Sequence, residues 1–421
     1  MAKSTVTPQT LKGFRDILPE KMRIRNYVLN IFKGVFESFG FEPLETPSLE
    51  YATTLLGKYG EEADRLVYRF KDRGGREVAM PYDLTVPVSK VLAMYQNKIP
   101  LPFKRYQIQR VWRAEKPQKG RYREILQCDV DIFGVASPLA DAEIIAVIYN
   151  VLGKLGFKKF TTRINSRQAL FKMLENADLP EKMWLTTLQT LDKIDRKGNA
   201  SVKNELTEKG LSEEKAAGII SYWTALKPQE NDESLVEIEN YLKLLGVDQN
   251  SYKFDPTLVR GLNYYTGPIF ETVVEKPKVG SITGGGRYDR LIAQLGGPET
   301  PATGTTIGLD RICDVISELG LLEKELEPAA QALITIFSPE LLGESIKLTN
   351  QLRAEGVNIN LYPDPETRLD KQLKYADRGG IPYAIILGPQ EIEKGQATIK
   401  NMETGEQLLV PTDNIHQEIE K

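Results

Sequence analysis

Between Arg105 and Gly134 apolar and polar side chains alternate in two runs, RYQIQRVWRAE (105–115) and RYREILQCDVDIFG (121–134). Such period-two alternation sends successive side chains to opposite faces of a strand. In the first run Tyr106, Ile108 and Trp112 share one face, and Gln107, Gln109 and Arg113 the other. In the second, Leu126, Cys128, Val130 and Ile132 are apolar, alternating with Arg123, Gln127, Asp129 and Asp131. The two runs form a predicted β-hairpin whose polar rows can lie side by side. Lys116 to Gly120 (KPQKG) between them carries Pro, Gly and two Lys, the signature of a mobile cationic loop. A solvated face is the commonest origin of this alternation. Gln and Asp are poor strand formers, however, and so many on one face point to a binding floor.

Elsewhere the period changes. Pro19 to Gly40 reads as a helix with Ile24, Val28, Ile31 and Val35 on one stripe. FEPLETPSLE (41–50) reads as extended, broken by Pro43 and Pro47, and a short strand ends in AMPYDLT, Ala79 to Thr85. After the hairpin come a helix over Asp141–Leu155 and a strand over Phe160–Ile164. The core pattern is then interrupted from about Ser166 to Val247 by an almost wholly helical, charged stretch, which reads as an inserted module. Strand signals return at Leu258–Glu275, Gly280–Ile292 and Thr303–Ile316. Strands and helices intermixed through hairpin-like connections favour an α+β fold on an antiparallel sheet. The last ninety or so residues differ. Apolar strands at Ala332–Phe337, Val357–Tyr362 and Tyr383–Leu387 alternate with helices at Glu340–Ala354 and Thr367–Asp377, predicting a small parallel-sheet α/β domain. Glu318 to Gln331 is the expected linker, giving domains of 1–327, with the helical insertion at about 166–247, and 328–421.

Composition changes this picture little. The chain has 421 residues, 41% hydrophobic, and a formal charge of -3, so it can bury real cores and does not advertise nucleic-acid binding. Local clustering of basic residues from Lys104 to Arg123 still leaves room for an RNA partner. Two dispersed cysteines, Cys128 and Cys313, suit a reducing compartment and give neither a disulfide framework nor a metal site. The single histidine, His416, sits five residues from the end, which removes histidine acid/base chemistry from the main body. The start, MAKSTVTPQT, lacks a signal-peptide core and no run reaches transmembrane length, so the expectation is a cytoplasmic protein without a membrane partner.

RVWRAE followed by GRYREILQCDVDIFG resembles motif 2 of the class II aminoacyl-tRNA synthetases, and GLDRI (308–312) resembles motif 3. LVRGLNYYTGPIFE (258–271) and GGGRYD (284–289) resemble two signatures peculiar to the histidyl-tRNA synthetase family, and MPYDLTVP (80–87) resembles its amino-acid-binding segment. The similarity runs from GFRDILP near the start to KQLKYADRGGIPYAIILG in the last domain. It implies a class II catalytic domain and a C-terminal anticodon-binding domain. It also implies the reaction: L-histidine and ATP give histidyl-adenylate and pyrophosphate, and the histidyl group passes to the 3′ end of tRNA(His). Mg²⁺ is expected to accompany ATP, with no protein-ligated metal. Motif 1, near Phe41–Glu50, would build a homodimer interface.

The resemblance also implies site residues. Arg113 would bind the α-phosphate from the hairpin, with Arg260 approaching from the opposite side; these are the expected catalytic pair, and both also border the histidine. Glu115, Arg121, Arg123 and Arg311 would complete the ATP site, Arg311 stacking on adenine. Asp83, Thr85 and Gln127 would bind the amino end of histidine, and Asp131, Tyr264 and Tyr265 would surround its ring. A carboxylate facing one ring nitrogen and a phenol the other suits neutral imidazole, which has one donor and one acceptor. On strand alternation alone, core packing competes for one of the two tyrosines. Gly284–Gly286 matches neither G-x-G-x-x-G nor a Walker A sequence. In the family it walls the histidine pocket, whereas by itself it reads as a turn. Where the family usually has Asp in RGLDYY this chain has Asn263, which removes a charge beside Arg260. Asp129 shares the polar row without an assigned part.

Two other functions compete. Paralogues of this family are regulatory subunits of ATP phosphoribosyltransferase that sense histidine. They typically lack the C-terminal domain and parts of the Arg260 signature, both of which are present here. Another class II specificity is disfavoured by YYTG and GGGRYD.

Overall fold

The computed structural model describes residues 7–56, 66–116, 122–259, 264–322 and 328–419, apart from the side chains of 195 and 196. The chain divides into two compact units, Met1–Ile17 with Arg25–Leu321 and Leu18–Ile24 with Leu322–Lys421.

The first unit is built on an eight-stranded sheet. In spatial order its strands are Glu42–Pro43, Phe103–Trp112, Glu124–Phe133, Ala302–Gly308, Ser281–Arg287, Pro268–Val274, Phe160–Ser166 and Tyr252–Phe254. The six central strands pair antiparallel. The two short edge strands run parallel to their neighbours, so the sheet is mixed where an antiparallel one is expected. The hairpin forms in the register that aligns the polar rows: Arg105 faces Asp131, Gln107 faces Asp129 and Gln109 faces Gln127. Cys128, Val130 and Ile132 alternate with that row and are buried. Helices Pro138–Lys154 and Leu309–Leu319 pack against strand Glu124–Phe133. Burial pushes the Cys128 thiol far up and the Cys313 thiol to about 12, which keeps both protonated at neutral pH.

Several boundaries move. Strand Glu77–Ala79 stops before Pro81, which cannot donate to a ladder, and Thr85 opens a helix, Thr85–Tyr95, with Pro87 in its first turn. The signal at Thr303–Ile316 resolves into strand Ala302–Gly308 and helix Leu309–Leu319, the latter closed by Gly320 at φ 62°. Helix Pro19–Ser38 buries Ile24, Val28, Phe32, Val35 and Phe36. Ile31 stays half-buried because Phe32 takes the core position. Residues 167–244 are helical in six segments, from Arg167–Asn176 to Ser234–Leu244. They close over Leu170, Met173, Leu188, Leu206 and Trp223.

The second unit contains a five-stranded sheet in the order Ile359–Leu361, Ala332–Ile334, Tyr383–Ile386, Gln396–Asn401 and Gln407–Pro411. The first three are parallel, crossed over by helices Leu342–Ala354 and Leu369–Arg378. The last two form an antiparallel hairpin that the βαβαβ reading leaves out. Its core residues Ala397, Ile399 and Val410 alternate with half-buried or exposed neighbours. A two-strand pattern that short is easily overrun by the preceding, more regular rhythm.

Candidate active site

The polar row of the hairpin is the floor of a pocket. Neighbouring strands place Gly304 beside Asp131 and Thr306 beside Asp129. A Cβ on Gly304 would stand 1.9 Å from Asp131 Oδ1, and one on Gly285 would stand 2.1 Å from the Gly304 carbonyl. Glycine is therefore required at both positions, at 304 to leave room for the Asp131 side chain and at 285 for the close approach of the neighbouring strand and Phe270. Gly284–Gly286 is strand, not turn.

Over this floor lies a pocket lined by Asp129, Asp131, Thr305 and Thr306. Thr85 borders it from the start of its helix, and Tyr264, Tyr265 and Tyr288 border it with aromatic rings. The Tyr264 and Tyr265 rings are 4.5 Å apart, and the Tyr264 ring meets Tyr288 edge-on at 5.8 Å. Both expected tyrosines thus reach the cavity, although Tyr265 also belongs to a buried apolar cluster.

The electrostatics are unusual for a sheet floor. Arg105, with no exposed surface, lies 2.7 Å from Asp131 Oδ2 and donates to Gln107 Oε1 at 3.3 Å. Tyr288 donates its hydroxyl to Asp131 Oδ1. Gln127 Nε2 donates to Asp129 Oδ2 at 3.0 Å and to Thr306 Oγ1 at 3.1 Å. Burial raises both carboxyls, Asp129 to about 7, against the pull of Arg105; the neighbouring Asp131 charge raises Asp129 further. Tyr288 is pushed well up by burial and by Asp131.

The remaining expected residues sit around this centre. Asp83 is buried just before the helix, its Oδ1 accepting from the Val86 amide at 3.4 Å. Arg113 leaves the end of the hairpin strand half-buried, with Nε donating to the Tyr82 carbonyl at 3.1 Å. Arg123 Nε donates to the carbonyl of Glu115 at 3.1 Å, so those two brace the hairpin end together. Arg311, in the first turn of its helix, donates to the Ser281 carbonyl. Arg121, Arg260, Asn263 and most of the Lys116–Gly120 loop lie outside the described residues. Arg105 and Tyr288 are additions to the expected site residues, Arg105 lying before RVWRAE and Tyr288 being the tyrosine of GGGRYD. Arg105 has the same parity as Gln107 and could have been placed on the row by alternation; Tyr288 reaches it only through tertiary folding. The Arg of GGGRYD has a structural task. Arg287 is ion-paired to buried Asp141 at 2.7 Å and donates to the carbonyls of Val135 and Ser137, clamping the following helix to the sheet.

Comparison with known proteins agrees with this geometry. A family described as Histidyl-tRNA synthetase matches residues 13–312, and one described as Anticodon binding domain matches 331–421. The chain is 40% identical to a histidine–tRNA ligase of Gloeobacter violaceus, covering 96% of each. It is 39% identical to a histidine–tRNA ligase of Aeropyrum pernix, covering 98% of each. The crystal structure of histidyl-tRNA synthetase from Nostoc sp. PCC 7120 superposes with a TM-score of 0.86 at 28% identity over 99% of both chains. With the family match extending through the floor, the tyrosines and the glycine strand, the chain belongs to the histidyl-tRNA synthetase family.

Proposed function

We propose that the Asp129–Asp131 floor holds L-histidine during the family's reaction, ATP-dependent charging of tRNA(His) with histidine. The observation that carries this reading is the pocket that Tyr264, Tyr265 and Tyr288 line over a buried carboxylate row. Asp131, fixed by Arg105 and Tyr288, accepts from one ring nitrogen, and the Tyr264 or Tyr265 phenol serves the other. Gln127, Thr85 and Asp83 take the amino end. A site that hydrogen-bonds its substrate this fully rejects analogues lacking those groups by roughly 10⁴-fold.

The histidine carboxylate then attacks the α-phosphorus of ATP, and the bond to the pyrophosphate oxygen breaks. Two anions approach, so fixed cations must face the developing charge. Arg113, anchored through Nε to the Tyr82 carbonyl, leaves its terminal nitrogens to meet an α-phosphate oxygen; Arg260 meets it from the opposite side. Glu115, Arg121 and Arg123 hold the rest of ATP, and Arg311 stacks on adenine. Mg²⁺ arrives with the ATP phosphates as part of the substrate. In the second step a ribose hydroxyl of the terminal adenosine of tRNA(His) attacks the histidyl carbonyl carbon and AMP leaves.

The working organisation follows the same reading. Residues 1–327 form the catalytic domain, the insertion at about 166–247 meets the acceptor arm, and 328–421 read the anticodon. The enzyme acts as a cytoplasmic homodimer through the segment near Phe41–Glu50. Sedimentation as a monomer at micromolar concentration would contradict the dimer. The pocket is tested with Asp131→Asn, which is expected to raise KM for histidine more than tenfold while leaving KM for ATP within twofold. Equal rises for both substrates would remove the ring assignment.

A further inference from the structure

Asp129 sits in the centre of the site, yet ring recognition, phosphate binding and fold support all leave it unused. It is 2% exposed and borders the cavity. Its Oδ2 accepts from Gln127 and Thr306 also favours its charged form, whereas among the described residues its buried Oδ1 has no hydrogen-bond partner. A buried acceptor left so is costly unless something else satisfies it. The charges around it do not balance. Among the described residues Arg105 on the adjacent strand is the cation facing the row, and Asp131 already holds it at 2.7 Å. Tyr288 above and Cys128 on the opposite face of the strand are held by burial in their neutral forms at physiological pH. With both carboxyls ionised, Asp129, Asp131 and Arg105 carry a net charge of −1 beneath the cavity. The position matters as much as the charge. On the polar row Asp129 lies between Gln127, at the amino end of the proposed substrate, and Asp131, at its ring.

We propose that Asp129 is a further carboxylate of the histidine site, beside Asp83 and Asp131, which receives the α-ammonium group of the substrate on Oδ1 and loses a proton to solvent as that cation arrives. The proposal rests on the assignment of the cavity to histidine made above. In the empty site a proton on Asp129 cancels the excess negative charge. In the occupied site the ammonium does so instead, and the ion pair forms away from water, where it is strong. Because Asp129 titrates near 7, about half a proton per site is expected to leave at pH 7. Histidine analogues whose ring fits but whose ammonium is missing would not drive that release.

The test is calorimetric titration of the full-length protein with histidine at pH 7 in two buffers of different ionisation enthalpy. Wild type is expected to release about half a proton more per site than Asp129→Asn. Histidine affinity of that variant is expected to fall roughly 10- to 100-fold. Affinity for imidazolepropionate, which lacks the amino group, should stay within twofold. Equal proton counts in wild type and variant, or a histidine affinity changed less than twofold, would overturn the proposal. An equal loss of imidazolepropionate affinity would overturn the assignment to the ammonium. If Asp129→Asn does not fold, Asp129→Ser is read in the same way. Asp131→Asn separates the two claims. Lost histidine binding there, with Asp129→Asn unaffected, sinks only this inference; binding retained in both sinks the pocket assignment itself.

Discussion

The same buried carboxyl should leave a mark on stability, and its size follows from the structure. Burial raises Asp129 from the ordinary 3.8 to about 7 in the folded chain. The folded state therefore holds a proton that the unfolded chain has given up between these two values. That preference favours folding fully in acid, below the unfolded value, and is lost as pH rises through about 7. Roughly three pH units at 1.36 kcal/mol each amount to ~4 kcal/mol, of which about 2–3 kcal/mol is lost between pH 5 and 8. Asp129→Asn removes the titration. Its amide also disturbs the Gln127 contact, at a cost of about 1–3 kcal/mol that does not vary with pH. Unfolding in urea at pH 5, 6, 7 and 8 measures the difference. All three tryptophans, Trp112, Trp184 and Trp223, lie in the first unit, so their fluorescence reports its unfolding. Relative to the variant, wild type should lose about 2–3 kcal/mol across that range. Parallel profiles would mean that Asp129 is ionised in the folded enzyme already, and the charge argument for the site would fail.

Three further outcomes are expected. Gly304→Ala puts a methyl 1.9 Å from Asp131 Oδ1 and 2.6 Å from the Val130 carbonyl. It should cost about 1–3 kcal/mol of stability and weaken histidine binding at least tenfold, read by urea midpoint and direct titration. Arg260→Ala should slow ATP–pyrophosphate exchange by about 3 kcal/mol, comparable to losing one oxyanion donor; unchanged exchange would remove Arg260 from the chemistry. Removing 328–421 should impair tRNA charging far more than adenylate formation, and an equal loss of both would contradict the anticodon assignment.

Much of the site was legible because strands obey a rigid alternation. Once Gln107, Gln109, Gln127, Asp129 and Asp131 share a parity, any in-register hairpin brings them together, and the structure pairs them so. Parity cannot say which charges will be buried or who will neutralise them. Arg105 belongs to the same row, but its role depends on facing Asp131 across the ladder, and Tyr288 arrives from a turn 157 residues later. The glycine strand was obscure for a related reason. Local preference makes Gly284–Gly286 look like a turn, while the requirement for missing side chains comes from Phe270, Gly304 and Tyr265 on other segments. In the second unit, alternation in Gln396–Asn401 and Gln407–Pro411 was present but short. The parallel rhythm before it was the stronger signal.

Pyrophosphate exchange with each of the twenty amino acids in turn tests the central claim, that the carboxylate floor beneath the three tyrosines is a histidine-activating site. Exchange with histidine alone is the expected result. Exchange with another amino acid, or with none, would contradict it.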